Sequence, residues 1–395
     1  MKRVGVVGAG LVGLAVARRI AQTTGAEVTV FEKEDVICKH QSGHNSGVVH
    51  SGIYYKPGSL KATLCRRGVE LIKEFTAEHG LEYRELGKVI VARDEVEVTR
   101  LRDLQDRAAG NGVPGVRWLG PEELRELEPH VTGLAALHSP TTAIVDYPAI
   151  AHALVDDLTK FGGSVRLNAP VDGVERSAGG VAVTSRGERD EFDRLVLCAG
   201  LQSDSVARLA GDDPGPAIVP FRGEYYRLVP DRRHLVNGLV YPVPDPAYPF
   251  LGVHLTPRID GTVDVGPNAV LAMAREGYKR TDIRPADLLR TLAWPGSLRL
   301  FRQHWRMGVH EYRGSFSKRA FTAAARAYVP ELAPADLVAA PAGVRAQAVD
   351  RDGSLVDDFR ISALGPVTAV RNAPSPAATS SLAIAEYVVD HITAK

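Results

Sequence analysis

The stretch "KRVGVVGAGLVGLAVARRI", beginning at Lys2, constrains the fold more than any other part of the chain. Val4 to Val7 read as a buried strand, the glycines as a turn, and the residues from Leu11 as an amphipathic helix. Gly8, Gly10 and Gly13 supply the G-x-G-x-x-G spacing. The first glycine permits the tight turn, the second lets the backbone approach a pyrophosphate, and the third lets helix and strand pack closely. Phosphates then sit at a helix N-terminus, where free N–H groups and the helix dipole favour negative charge. "AEVTVFEK" follows as a second strand with Glu32 at its end, 24 positions beyond Gly8. An acid there suits a ribose diol and disfavours a 2′-phosphate. The same start mimics a basic n-region followed by a signal-peptide core, but the glycine spacing and Arg18–Arg19 fit a cytosolic strand–turn–helix.

At 395 residues the chain exceeds one ordinary core, so two domains are expected. Its 45% hydrophobic and 24% charged shares are those of a soluble globular protein, and a net charge of +1 argues against a dedicated nucleic-acid surface. No apolar run reaches membrane-span length. Cys38, Cys65 and Cys198 make no disulfide framework and no C-x-x-C metal pair, so a reducing, cytoplasmic setting without a metal site is expected. No internal repeat is apparent.

A plain NAD-binding half would continue from Glu32 into another helix and strand. This chain instead enters "HQSGHNSGVVHSGIYYKPGS", His40 to Ser59, rich in small and polar groups. A retained flavin needs its ring gripped by segments beyond the dinucleotide unit, and several are present. "GGSVRLNAPVDGVE" reads as a strand pair whose Val171 can meet the adenine. "FDRLVLCAGLQS" reads as a buried strand ending at Ala199 and Gly200, where the backbone can pass close to a cofactor. In "VRNAPSPAATSSLAIAEYVVDHI", Ser375 is the expected N-cap and Pro376 the first residue of a helix to about Ile392, its positive end aimed at the flavin N1–C2=O edge.

The strings His40–Ala62, "PFRGEYYRL", "YPVPDPAYPFLGVHLT", "VGPNAVLA", "PAGVRAQAV" and "NAPSPAATS" together resemble the D-amino-acid-oxidase-like family of FAD-dependent oxidoreductases. The likeness runs over nearly the whole chain and is closest to members that oxidise L-2-hydroxyglutarate. It implies an α/β (α+β overall) fold, a Rossmann-like FAD domain joined to a substrate domain with a mixed or antiparallel sheet. It implies non-covalent FAD, although Cys38, His40 and His44 are formally available for attachment. It also implies that Ser42, Gly43, Ser46, Gly47 and Val48 lie against the flavin, that Asn45 bonds either cofactor or loop, and that His50, Tyr54 and Tyr55 face the substrate. Lys33 beside Glu32, Gly343, and Pro374, Ser375, Ala377, Ala378 and Thr379 complete the implied cofactor contacts.

The FAD domain is expected at 1–85, 145–215 and 340–395, and the substrate domain at 86–144 and 216–339. From Ala217 to about Leu271, short apolar runs broken by Pro and Gly read as antiparallel strands. The dianion implied as substrate needs cationic partners, because a buried carboxylate without one is very costly. Arg345 and Arg222 are the first choices, with Tyr241, Tyr225 and Tyr54 as hydroxyl donors and Lys56 as a weaker candidate. Hydride leaves the α-carbon for flavin N5, and the alcohol proton goes to a base, His50 or His254; the sequence does not choose between them.

Competing readings are an amine oxidase of the glycine or sarcosine type, a nucleotide-binding scaffold with a decayed site, and an NAD-dependent dehydrogenase. The final electron acceptor, oxygen, a quinone or another carrier, is not written in any residue. A quinone would bring the protein to the periphery of the inner membrane, but no strongly amphipathic basic segment stands out in the sequence to mark such a contact.

Overall fold

The computed structural model describes residues 1–177, 179–246 and 250–393, so the centre of the "YPVPDPAYPFLGVHLT" string, 247–249, lies outside the described residues. The opening stretch folds as read: strand Arg3–Val7, helix Leu11–Thr24, strand Glu27–Phe31. These strands sit inside a six-stranded sheet ordered Arg360–Leu364, Val367–Asn372, Arg194–Leu197, Arg3–Val7, Glu27–Phe31, Ser164–Arg166. All neighbours run parallel except the first pair. Parallel strands need both faces covered. Helices Leu11–Thr24, Tyr147–Lys160 and Ser381–Thr393 cover one face through Val4, Val6, Leu14, Ile150 and Val388. The antiparallel meander Val171–Ser177, Gly180–Ser185, Glu188–Phe192 covers part of the other through Val183 against Val7, Phe31 and Leu195.

The second large sheet has nine strands and is mixed. Its spine is the antiparallel pair Ala217–Leu228 with Leu337–Val349. Lys88–Ala92 joins it, parallel to Leu239–Pro242 and antiparallel to Ala135–Ser139. The boundary expected at 340 therefore falls inside a strand. Pairing with 217–228 holds the chain in this sheet to Val349, and it rejoins the six-stranded sheet only at Arg360. A small sheet of Val48–Val49, Ala143–Val145 and Tyr83–Glu85 lies where the two halves of the chain meet.

Two expectations are corrected. The C-terminal helix starts at Ser381, not Pro376. Residues 374–380 form successive turns, with Ala377 N–H donating to Pro374 O and Ser380 N–H to Pro376 O, and these turns line a cavity. Regular winding begins only where Leu382, Ala383, Ile384 and Val388 become buried in the core. The second correction is an amphipathic basic segment that the sequence reading passed over. Helices Pro285–Ala293 and Pro295–Phe316 expose Leu289, Leu298, Trp305, Val309 and Phe316, the last 74% accessible. Between 285 and 316 they carry five arginines against two acids. The arginines are all on exposed positions.

Candidate active site

Widely separated stretches of chain wall one cavity of about 1350 Å³. At one end lies the glycine turn. A Cβ on Gly8 would stand 2.4 Å from Cys198 O and one on Gly13 only 1.9 Å from Gly8 O, so both positions admit nothing larger than glycine. Gly10 lies beside Ser42, whose Oγ accepts from Leu11 N–H at 3.0 Å and so caps the helix start. Glu32, 8% exposed, accepts from Ala9 N–H at 2.8 Å and Glu34 N–H at 3.0 Å, pinning its carboxylate at the cavity wall with lone pairs to spare. Lys33 belongs to a rim network with Glu34, His40 and Glu276, its Nζ 2.8 Å from a Glu276 carboxylate oxygen. Glu34, His40 and Glu276 lie close enough together to hold a cation, but Lys33 supplies that charge.

Val171, Ala199, Gly200, Gly343 and the turn residues Pro374, Ser375, Ala377, Ala378 and Thr379 line the cavity beyond the dinucleotide end. Thr379 Oγ1 accepts from His50 N–H at 3.1 Å and pairs with Tyr147 OH at 3.1 Å, tying the turn to the His40–Ser59 loop. In that loop Ser42, Asn45, Ser46 and Val48 line the wall, but Gly47 does not. Its φ of +73° and its carbonyl, bonded by Val145 N–H at 2.8 Å, steer the chain into the small sheet. Of the two roles open to Asn45, the bond to the loop is present: its amide donates to Ser42 O at 2.7 Å and accepts from Gly47 N–H.

At the other end His50, Tyr54, Tyr55, Tyr225, Tyr241, His254 and Arg345 converge. His254 Nδ1 lies 2.9 Å from Gly252 O, which can only accept. The proton therefore sits on Nδ1, and Nε2 keeps its lone pair. Its ring packs on Tyr241 at 4.1 Å between centroids. His50 Nδ1 and Tyr54 OH are buried without a hydrogen-bond partner among the described residues, as expected of groups whose partner comes with a ligand. Burial pushes both imidazoles down to about 3, so each is a neutral acceptor across the physiological range. Arg345 stacks over Phe250 at 5.2 Å, and no carboxylate among the described residues pairs with it.

Arg222 is a correction. It lies on the opposite face of the Ala217–Leu228 strand from Tyr225, does not line the cavity, and is 5% exposed. Its Nη2 bonds Glu224 Oε1 at 3.0 Å and its Nη1 bonds Lys279 O. The reason is strand alternation, which puts Arg222 and Glu224 on one face and Gly223 and Tyr225 on the other. Lys56 is exposed and outside the cavity lining. Sequence reasoning also missed two lysines. Lys61 lines the cavity, bonded to Asp357 and lying over the Tyr55 ring at 5.2 Å. Lys88 is fully buried behind Tyr54 and Tyr241. A lysine inside the apolar run "LGKVIVA" was the available signal for Lys88.

A family model described as FAD dependent oxidoreductase matches residues 3–391. The chain belongs to this family. As an FAD-dependent oxidoreductase it is 44% identical to the human protein named L-2-hydroxyglutarate dehydrogenase, mitochondrial, over 98% of this chain and 88% of that one. It is 42% identical to L-2-hydroxyglutarate dehydrogenase of Escherichia coli K12, over 98% and 92%. The fold matches L-alpha-glycerophosphate oxidase from Mycoplasma pneumoniae with FAD bound, at TM-score 0.82 and 23% identity, covering 100% and 96% of the two chains. The residues fit FAD: the glycine cradle excludes side chains where a pyrophosphate needs backbone, Glu32 stands at the ribose position, and the wall continues past Gly200 to the turn at 374–379. No helix among the described residues is long and apolar enough to cross a membrane.

Proposed function

We propose that this FAD-dependent oxidoreductase oxidises L-2-hydroxyglutarate to 2-oxoglutarate, with FAD held without a covalent bond. The observation that carries the reading is the Arg345 guanidinium, without a carboxylate partner among the described residues, in the same chamber as two neutral imidazoles. Arg345 binds the carboxylate next to the alcohol through its planar fork. His254 Nε2, its tautomer fixed by Gly252 O, accepts the hydroxyl proton; His50 orients the alcohol from the loop side. Tyr54, Tyr225 and Tyr241 close the chamber against water and offer hydroxyls. Bound FAD supplies the hydride acceptor for the α-carbon. Non-covalent attachment is supported by Cys38, whose thiol burial raises to about 12, leaving no thiolate to add to a ring. The 42–44% identity to relatives named for this substrate favours it over an amine substrate.

The exposed basic helices 285–316 further support peripheral contact with an anionic bilayer, and with it a lipid-soluble acceptor such as a quinone; dioxygen is the competing acceptor. Reading the flavin spectrum during anaerobic addition of each enantiomer of 2-hydroxyglutarate tests the substrate. Bleaching by the L form alone is expected. Bleaching by glycine or sarcosine and by neither enantiomer would transfer the assignment to the amine oxidases.

A further inference from the structure

Lys88 lies on the central strand Lys88–Ala92, 1% exposed, between the register partners Ser139 and Leu239. Its Nζ stands 4.6 Å from the Tyr54 ring centroid and 5.2 Å from that of Tyr241, and no carboxylate among the described residues pairs with it. The hydroxyl of its register partner Ser139 is bonded to those of Ser51 and Thr142. A buried ammonium set against two ring faces, with no carboxylate paired to it among the described residues, is expensive, so it either loses its proton or waits for an anion. The rings against it are the same two that wall the substrate end of the cavity. With Arg222 committed to Glu224 on the far face and Lys61 paired with Asp357, Arg345 is left for one carboxylate, and beside Tyr54 and Tyr241 no unpaired cation among the described residues is in contact for the second.

We propose that Lys88 is the counter-charge of the second substrate carboxylate, acting across the Tyr54 and Tyr241 rings, and that it takes up a proton when the dicarboxylate binds. The proposal rests on the dicarboxylate reading above and deepens it. Lys88 is thus a positioning residue: it touches no reacting atom, and it selects ligands with two negative charges over those with one. Burial lowers its ordinary value to about 7, so the empty enzyme holds it part-protonated near neutrality. A dianion brought within the same low-dielectric pocket favours the charged form and draws the proton in. The titratable groups around it do not change state in the same range. His50 of the loop and His254 of its strand are held at about 3. Tyr54 and Tyr241 are raised, and Cys65, from helix Leu60–Glu78, is raised to about 12. His138, beside Ser139 on the paired strand, is lowered, while Lys61 of the same helix pairs with Asp357.

The sign follows. Affinity for a dianion is full below the free-enzyme value and weakens as pH rises through it, until Lys88 is neutral in both states. The test is calorimetric titration of the FAD-loaded enzyme with glutarate, which has both carboxylates and no alcohol to oxidise, from pH 6 to 9 in buffers of differing ionisation enthalpy. Wild type is expected to take up a fraction of a proton that grows between pH 7 and 8 and to bind about tenfold more weakly at pH 8.5 than at 6.5. Lys88→Met should bind weakly at all pH with no uptake attributable to this site. Lys88→Arg should bind tightly with a flat profile, a rescue that mere packing would not give. A flat wild-type profile, or uptake that persists in Lys88→Met, overturns the role of Lys88 while leaving the dicarboxylate reading standing. Failure of glutarate to bind at any pH, together with no flavin reduction by L-2-hydroxyglutarate, overturns both.

Discussion

Arg345 and Arg222 separate binding from stability. Both are arginines in strands that pair with each other, yet one lies over an aromatic ring facing a cavity and the other is locked to Glu224. Arg345→Met removes the only partner proposed for the α-carboxylate, so KM should rise about a hundredfold, the effect of losing a charged hydrogen-bonded pair of about 3 kcal/mol. Arg222→Met should leave KM within about threefold and instead lower stability by about 1–3 kcal/mol. That is less than the usual loss of a buried ion-pair partner, because Arg280 Nε still bonds Glu224 at 2.9 Å. Steady-state kinetics and urea midpoints on both variants check this, and a large KM change in Arg222→Met would contradict the assignment of faces. The alternation that decides the matter was legible in "PFRGEYYRL". An acid two residues from an arginine on one strand face is a pairing signal.

Among elements, the glycine turn is the part the sequence specified most fully, because its geometry is local: three glycines and an acid at fixed spacing leave one arrangement. Gly13→Ala drives a Cβ to 1.9 Å from a backbone oxygen that cannot move without opening the turn. It should cost about 3 kcal/mol and yield a colourless protein, whereas Gly308→Ala, in a helix with nothing within 4 Å, should be neutral or slightly stabilising. Absorbance at flavin wavelengths and melting curves with added FAD separate the two. The C-terminal helix was misplaced at its start because Ser-Pro makes a convincing cap, while the demand that 374–379 line a cavity is set by chain segments hundreds of residues away. The helices 285–316 were passed over because their apolar residues face water, and amphipathicity is normally read as a buried face. Flotation with anionic vesicles should carry the protein, and the triple change Leu289→Gln, Trp305→Gln, Phe316→Gln should abolish this without altering the flavin spectrum. Equal binding to zwitterionic vesicles, or loss of a dimer in place of loss of flotation, would reassign the surface.

At the scale of the whole molecule, the two buried imidazoles set an acid limit on stability. Each ordinarily titrates near 6.5 and is held at about 3 by burial. Between those values the unfolded chain binds protons the folded one refuses, so stability falls as pH falls, by up to about 1.4 kcal/mol per unit for each group. Urea midpoints should drop steadily from pH 6.5 to 5, and the double variant His50→Asn, His254→Asn should flatten that slope. The fold class and most of the cavity wall were readable from strings, while the partners of individual side chains depended on strand faces and on packing between the two large sheets.

The turn at 374–379 has a consequence for biogenesis. Thr379 holds the backbone of His50 and the hydroxyl of Tyr147. A nascent polypeptide emerging from the ribosome can form its first strand and helix early, but the chamber lacks a wall until this late segment is synthesised. Flavin capture is therefore expected to wait for this segment, and a chain truncated upstream of Thr379 is expected to expose an apolar face to chaperones and proteases, which limited proteolysis of such a truncation checks.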